Sequence, residues 1–336
     1  MKNPFIINGI VPDEYFCDRI RETNKLIKCI GNQTNVLLTS PRRMGKTQLV
    51  PKGRQALDVF ISVLKSLTGS FGYDPMTGLP VFDVRLGDIR SPELTLSEIF
   101  SYLENTDKPC VCTIDEFQQI GKYPEDNTEA LLRTYIQRMS NCVFIFAGSD
   151  RHTLENMFNS PAKPFYNSVE QMFLDKIDRE VYVDFIDDMF ARNGRIISRN
   201  AAGYVYDLFE GHTYYVHQTL HNAFAYNEPD VEISEELMDD TVSDILQDKE
   251  HSFLTQLSLL NYVQKETLIA IAKDVKASEV TSVSFVKRHS LQSPSSVQNA
   301  IRHLLRLQMI TYHIEGRTKV YSVSDRFLQM WIARKY

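Results

Sequence analysis

The segment Thr39-Ser40-Pro41-Arg42-Arg43-Met44-Gly45-Lys46-Thr47 concentrates residue types that hold a phosphate. An apolar run, Asn35-Val-Leu-Leu-Thr39, precedes it and has strand character. Gly-Lys-Thr then opens a helix, so backbone N–H groups of the loop and of the helix N-terminus point at phosphate oxygens. Gly45 allows close backbone approach, Lys46 reaches the β- and γ-phosphates, and the Thr47 hydroxyl ligates Mg²⁺. Ser40 stands where the first glycine of the pattern G-x-x-x-x-G-K-S/T usually lies.

A second constellation is Val111-Cys-Thr-Ile114-Asp115-Glu116, an apolar strand ending in two carboxylates. Ligands bind at the C-terminal edge of a parallel sheet. Asp115 is placed to hold Mg²⁺ through water, and Glu116 to orient or activate an attacking water. A third strand, Cys142–Ala147, runs into Gly148-Ser149-Asp150-Arg151 and is expected between the other two. Ser149 or Arg151 there can touch the γ-phosphate or the water, Arg151 as a stabiliser of charge on the transferring group. The competing reading of this pair is a helix cap at Ser149 and a surface arginine.

Elements must position these groups. Strand and helix alternate up to about residue 150, which argues an α/β fold with a parallel sheet. A helix is expected over Asp18–Ile30 and an amphipathic one over 51–69, with Leu57, Phe60, Ile61, Leu64 and Leu67 at helical spacing. Gly72–Pro80 is turn-rich. From about 180 to 250 the pattern is helical, and ten acids face one lysine between Asn227 and Glu250, reading as a solvated helix and linker. Ser293-Pro-Ser-Ser296 opens a helix over Val297–Leu307, and two short strands follow, Met309–Ile314 and Lys319–Val323, split at Glu315-Gly316. Helices followed by a hairpin, with a basic bias, outline a winged helix. The expected division is a core with its lead-in over 1–178, a helical lid and acidic linker over 179–250, and a winged helix over 251–336.

Charge divides the same way. From His251 onward 12 Lys and Arg meet 5 Asp and Glu, a balance of +7, so the first 250 residues carry −13 toward a net of −6. A basic module of this kind meets nucleic acid or docks on the acidic body. Gln298, Asn299, Arg302, His303 and Arg306 lie on the expected recognition helix, with Arg317 and Lys319 in the hairpin. No run of about 18 apolar residues spans a membrane, and with no signal-peptide core at the N-terminus the expected location is cytoplasmic. Five cysteines, an odd count in a long chain, argue against a disulfide framework. His212, His217 and His221 recur at helical spacing, but core or surface histidines account for them better than a metal site.

Together these segments resemble the archaeal-type ATPases (ATPase_2) of the AAA+/STAND class, in a Bacteroides-like form. The resemblance extends to Asn3-Pro-Phe5, Tyr15-Phe16-Cys-Asp-Arg19, Phe146-Ala-Gly-Ser149, Lys163-Pro-Phe-Tyr166, Gly211-His212-Thr-Tyr-Tyr215 and Tyr321–Phe327. It implies an ATP- and Mg²⁺-binding core of P-loop type, a helical lid and a C-terminal winged helix. It implies that Tyr15, Phe16 and Arg19 line the adenine side, and that the helix near His212 and Tyr215 covers the nucleotide. The partners it calls for are ATP and ADP, a protein or DNA at the winged helix, and, in a homo-oligomer, a second copy. Two departures stand out. Lys163 occupies a place where arginine is expected. Pro51 and Gly53 follow Thr47 so closely that the fold calls for roughly 30–40 further residues, a helix–strand–helix span, after Val50.

Replacing Lys46 by alanine removes the positive charge that faces the phosphates. The expected outcome is loss of ATP binding in a calorimetric titration; unchanged affinity contradicts this site.

Overall fold

Every residue from Cys142 to Gly148 is buried, the pattern of a strand covered on both faces of a parallel sheet. In the computed structural model, which describes residues 3–7, 11–46, 49, 97, 99–101, 103–105, 109–122 and 127–336 and the backbone of 70–73 and 80–83, that strand is β5. The other strands of the sheet are β1 (Val36–Thr39), β4 (Cys110–Ile114) and β6 (Glu170–Phe173), in the order β4-β5-β1-β6. All pairings are parallel, with Thr39 opposite Gly148 and Ile114 opposite Phe146. The strand that ends in Ser149 therefore lies between the other two, as the sequence leads one to expect.

The two faces alternate residue by residue. Leu37, Phe144 and Phe146 pack with Phe117, Phe158, Phe165 and Leu154 on one side. Val36, Leu38, Val143, Ile145 and Ala147 pack on the other with Leu26 and Ile30. Both of these last come from helix α1 (Ile20–Gly31). Helices α2 (Thr128–Arg138) and α3 (Arg151–Asn159) flank β5 in sequence and supply Ile136 and Phe158 to the aromatic face. A separate antiparallel pair, β2 (Ser70–Tyr73) with β3 (Pro80–Asp83), takes up both ends of the turn-rich stretch. The helix expected over 51–69, and with it the question of a missing span after Val50, lies outside the described residues.

The chain divides into two compact units, residues 1–195 with 206–221, and residues 196–205 with 222–336. Helices α4 (Arg179–Arg192), α5 (Arg199–Leu208) and α6 (Thr213–Tyr226) complete the helical stretch before the acidic segment. In the second unit, α7 (Glu235–Ser258) runs unbroken through residue 250. The acidic stretch is more than a solvated linker: Met238, Val242, Ile245 and Leu246 recur at helical spacing and are buried. After α7 come α8 (Tyr262–Asp274), β7 (Ala277–Ser278), α9 (Val283–Arg288), α10 (Pro294–Arg306), β8 (Ile310–Glu315), β9 (Thr318–Val323) and α11 (Arg326–Lys335). The three strands form one sheet in the order β7-β9-β8, and Gly316 turns the hairpin at φ +62°. Ser293 caps α10 through a reciprocal bond with Ser296, as its spacing indicates.

One side chain extends the central sheet. Asn35 Oδ1 accepts from the Phe144 N–H at 2.8 Å, while its carbonyl accepts from the Glu170 N–H. Asn35→Ala leaves a donor of a fully buried residue unpaired just where β1 enters the sheet. The expected cost is about 1–3 kcal/mol, read from urea unfolding; a change below about 0.5 kcal/mol contradicts this role.

Candidate nucleotide-binding site

β1 stops at Thr39, and the Ser40 N–H still reaches the Gly148 carbonyl at 3.4 Å, so the loop leaves the sheet beside the end of β5. The loop reverses through two left-handed residues, Arg43 at φ +64° and Gly45 at φ +82°. A Cβ on Gly45 would meet no atom of the described residues within 4 Å. Glycine therefore supplies the left-handed backbone here rather than room beside other protein atoms. Ser40, in the place of the usual first glycine, is buried and its hydroxyl bonds the Pro41 carbonyl at 3.0 Å. The chain turns helical at Lys46, and the Leu49 N–H bonds the Gly45 carbonyl at 3.2 Å. Thr47 lies outside the described residues.

β4 delivers Asp115 and Glu116 to the same edge. Phe117 directly after them is sunk among Phe146, Phe158 and Phe165, with centroids 4.6–5.7 Å apart, and pins the turn from below. Glu116 sits at φ +49°, and its N–H bonds Asp115 Oδ1 at 2.8 Å. Lys46 Nζ, almost wholly buried, lies 3.5 Å from Asp115 Oδ1 and 3.7 Å from Glu116 Oε1. Ser149 Oγ lies 3.1 Å from Glu116 Oε2, and Arg42 Nε donates to that hydroxyl at 3.4 Å. Lys46 and Arg42 thus gather beside two carboxylates, charges that suit phosphates bridged by a divalent ion.

A cavity of about 490 Å³ opens on this cluster. That size lies within the range of small-molecule sites. Ser40, Pro41, Arg42, Arg43, Met44, Gly45 and Lys46 line one wall, and Asp115, Glu116 and Ser149 another. Tyr15, Phe16 and Arg19 border the remaining space, as the resemblance implies. Arg19 is buried, bonds Glu22 through Nη1 at 3.0 Å, and leaves Nη2 without a partner among the described residues. Sequence reasoning missed the apolar lining Ile6, Ile7, Val11 and Ile177, and Thr213, Tyr214 and His217 from α6. Burial pushes the Cys17 thiol, also in the wall, up to about 12, so it stays protonated.

Three of the expected residues lie outside the cavity lining. Arg151 turns along α3 to Glu155 Oε1 at 2.6 Å and stacks over Phe173 at 4.5 Å, outside the cavity lining. The cap reading at the end of β5 fits better, with Asp150 rather than Ser149 accepting the Thr153 N–H. His212 and Tyr215 are not in the wall either; their neighbours Thr213 and Tyr214 are. Tyr215 is buried and accepts from Arg43 Nη1 at 2.6 Å, and the Arg43 guanidinium lies 4.7 Å from the Tyr214 ring centre. Tyr215 thus touches the phosphate loop instead of the cavity. Two of the three histidines have other partners: His221 Nδ1 bonds the Phe5 carbonyl at 2.8 Å, and His217 stacks on Tyr182. Among the described residues no three His, Cys, Asp or Glu side chains are grouped to hold a metal.

Residues 251–334 match the family described as "Probable winged helix domain". The Walker-type ATPase of Pyrococcus abyssi superposes at a TM-score of 0.65 and 15% identity, over 98% of this chain and 99% of that one. The fold is that of a P-loop ATPase with a C-terminal winged helix. The ORC1 protein of Aeropyrum pernix in complex with DNA is also similar, at 0.56 and 14% identity over 97% and 95% of the two chains. So is the RuvB Holliday junction branch migration motor of Thermotoga maritima, at 0.51 and 13% over 95% and 96%. No curated protein matches the chain by sequence. The likeness to archaeal ATPases drawn from the motifs is borne out in the P-loop core and the winged helix. No described helix is long and apolar enough to cross a membrane.

The P-loop pocket carries a pH signature. Burial holds His217 down at about 4, against 6.5 for a free imidazole. Protons then favour the unfolded chain, so this contribution to stability is present above pH 6.5 and lost as pH falls toward 4. His217→Phe is expected to flatten the stability profile in that window, by up to about 3 kcal/mol. Parallel profiles for variant and parent, from denaturant melts at each pH, contradict this assignment.

Proposed function

We propose that this chain binds ATP with Mg²⁺ and hydrolyses it, and that the nucleotide state governs how its winged helix docks a partner. The observation that carries the reading is the position of Lys46 Nζ, within 4 Å of both Asp115 and Glu116 at the mouth of one cavity. A phosphate placed against Lys46 and the loop N–H groups displaces the lysine from the carboxylates and takes its charge. Thr47 and Asp115 would hold Mg²⁺, which supplies charge neutralisation on the β- and γ-phosphates. Glu116 accepts a proton from the attacking water, and Ser149 steadies that carboxylate. Tyr15, Phe16 and Arg19, with Ile6, Ile7 and Val11, take the base and ribose side. Lys163 bonds Glu129 at 3.2 Å, so an arginine finger from that position plays no part in this reading. The same scheme fits a cytoplasmic protein acting alone or as a homo-oligomer.

The second reading is a nucleotide-controlled DNA-binding regulator with little hydrolysis. Arg302 on α10 and Arg317 and Lys319 on the hairpin line a second cavity of about 420 Å³ together with Gln298. That is a basic face on the expected recognition helix. A DNA affinity that falls steeply with salt favours this reading.

ATP turnover with and without duplex DNA, in the parent and in Glu116→Gln, separates the two. The variant is expected to bind ATP as tightly as the parent and to turn it over about 100-fold more slowly or worse. Turnover that needs Glu116 and rises with DNA joins both readings; turnover that needs Glu116 and ignores DNA assigns the winged helix to a protein partner. Equal turnover in parent and variant removes Glu116 from catalysis.

A further inference from the structure

Glu116 carries a flexible, part-exposed side chain on the turn between β4 and Phe117. A base in that setting needs something to stop it turning to solvent or collapsing onto Lys46. Two residues along, Gln118 is the second residue of the 3₁₀ turn Phe117–Lys122 and is itself only 4% exposed. Its Nε2 donates to Glu116 Oε2. Its Oε1 is buried, has no partner among the described residues, and packs against the end of β5. A Cβ built on Gly148 would lie 2.1 Å from that Oε1 and 2.7 Å from Leu154 Cδ1. The backbone of Gly148 needs no left-handed angle, so the space beside it is what the glycine provides. That space is filled by the Gln118 amide.

We propose that Gln118, seated against Gly148, is the positioning residue that holds Glu116 Oε2 and so presents Oε1 as the proton-accepting atom. This rests on the hydrolytic reading of the site given above. The geometry separates the two carboxylate oxygens by their neighbours. Oε2 takes the Gln118 amide and the shorter contact from Ser149, at 3.1 Å, while Oε1 is the atom nearest Lys46. A carboxylate has about four acceptor positions, so lone pairs on Oε1 remain for a water. An amide suits the task because it is uncharged. It fixes the carboxylate without neutralising it, as a second ammonium would, and it does not titrate. The charged groups that face the pair are Lys46 and Asp115, with Arg42 reaching it through Ser149. Gln118 lies outside the cavity lining, so it acts only through Glu116.

The test compares four full-length proteins: the parent, Glu116→Gln, Gln118→Leu and Gln118→Glu, with ATP and Mg²⁺. Leucine keeps the bulk beside Gly148 and removes the donor. Its kcat is expected to fall about ten- to a hundred-fold, the loss of one hydrogen bond to a charged group. Its affinity for a non-hydrolysable ATP analogue and its melting temperature are expected to stay at parental values. Glutamate at 118 adds a distinct signature. Protonated, it donates an O–H to Glu116 as the amide does; ionised, it repels it, and two adjoining carboxylates share one proton with a raised pKa. The kcat of Gln118→Glu relative to the parent is therefore expected to be highest near pH ~5.5 and to drop by tenfold or more toward pH ~8. A Gln118→Leu enzyme with parental kcat, or a Gln118→Glu ratio that is flat with pH, overturns the assignment while leaving the ATPase reading standing. Loss of analogue affinity in step with kcat also overturns it, since that marks a structural role. Turnover that survives Glu116→Gln overturns this assignment and the hydrolytic reading together.

Discussion

The parallel pairing of β1, β5 and β4 is the constraint on which the site depends. Three strands running the same way must end at the same edge, and each leads into residues that line the cavity. Thr39 leads into the phosphate loop, Gly148 into Ser149, and Ile114 into Asp115 and Glu116. Hydrogen-bond register sets their heights: Thr39 lies level with Gly148, and Ile114 two residues behind it, level with Phe146. That offset lets the carboxylates rise beside Ser149 instead of past it. The aromatic cluster around Phe117 and Phe146 makes the arrangement stiff, because Phe117 follows Glu116 with no intervening residue.

Most of this was legible from the sequence because β1 and β5 are buried throughout, β4 is part-buried, and each reads as a short, mostly apolar run. The polar residues that end such runs are conspicuous. The phosphate loop, the carboxylate pair and the order of the strands all followed from that. The winged helix followed as well, from the Ser293 cap and the Gly316 turn, and residues 251–334 match a winged-helix family. The cavity's other side was less visible. Ile6, Ile7 and Val11 line it, and their sequence has no period to betray a buried face. Thr213, Tyr214 and His217 point inward because of how α6 is rotated, which local spacing does not fix.

Arg151 shows the limit from the opposite direction. A strand-end arginine next to a candidate nucleotide site invites a catalytic role, yet Arg151 pairs with its i,i+4 neighbour Glu155 and stacks on the face of Phe173. Both partners were present in the sequence, but their packing around Arg151 was not. The acidic segment teaches a similar lesson about charge. Its ten acids suggested solvation, and its apolar residues, spaced for a helix, were buried all the same. The acids then serve the basic end of the chain: Arg334 bonds Asp239 at 3.1 Å, and Lys335 pairs with Glu250. Part of the basic surplus of the C-terminal module is thus spent within its own unit. Arg302, Arg317 and Lys319 stay exposed.

The central claim is that phosphate enters between Lys46 and the carboxylates at the end of β4. A crystal structure with Mg²⁺ and a non-hydrolysable ATP analogue tests it most directly. The expected result is a γ-phosphate within hydrogen-bond reach of Lys46 Nζ, an ion between it and Asp115, and the base beside Tyr15 and Phe16. A nucleotide bound elsewhere, with Lys46 still paired to Asp115 and Glu116, contradicts the account.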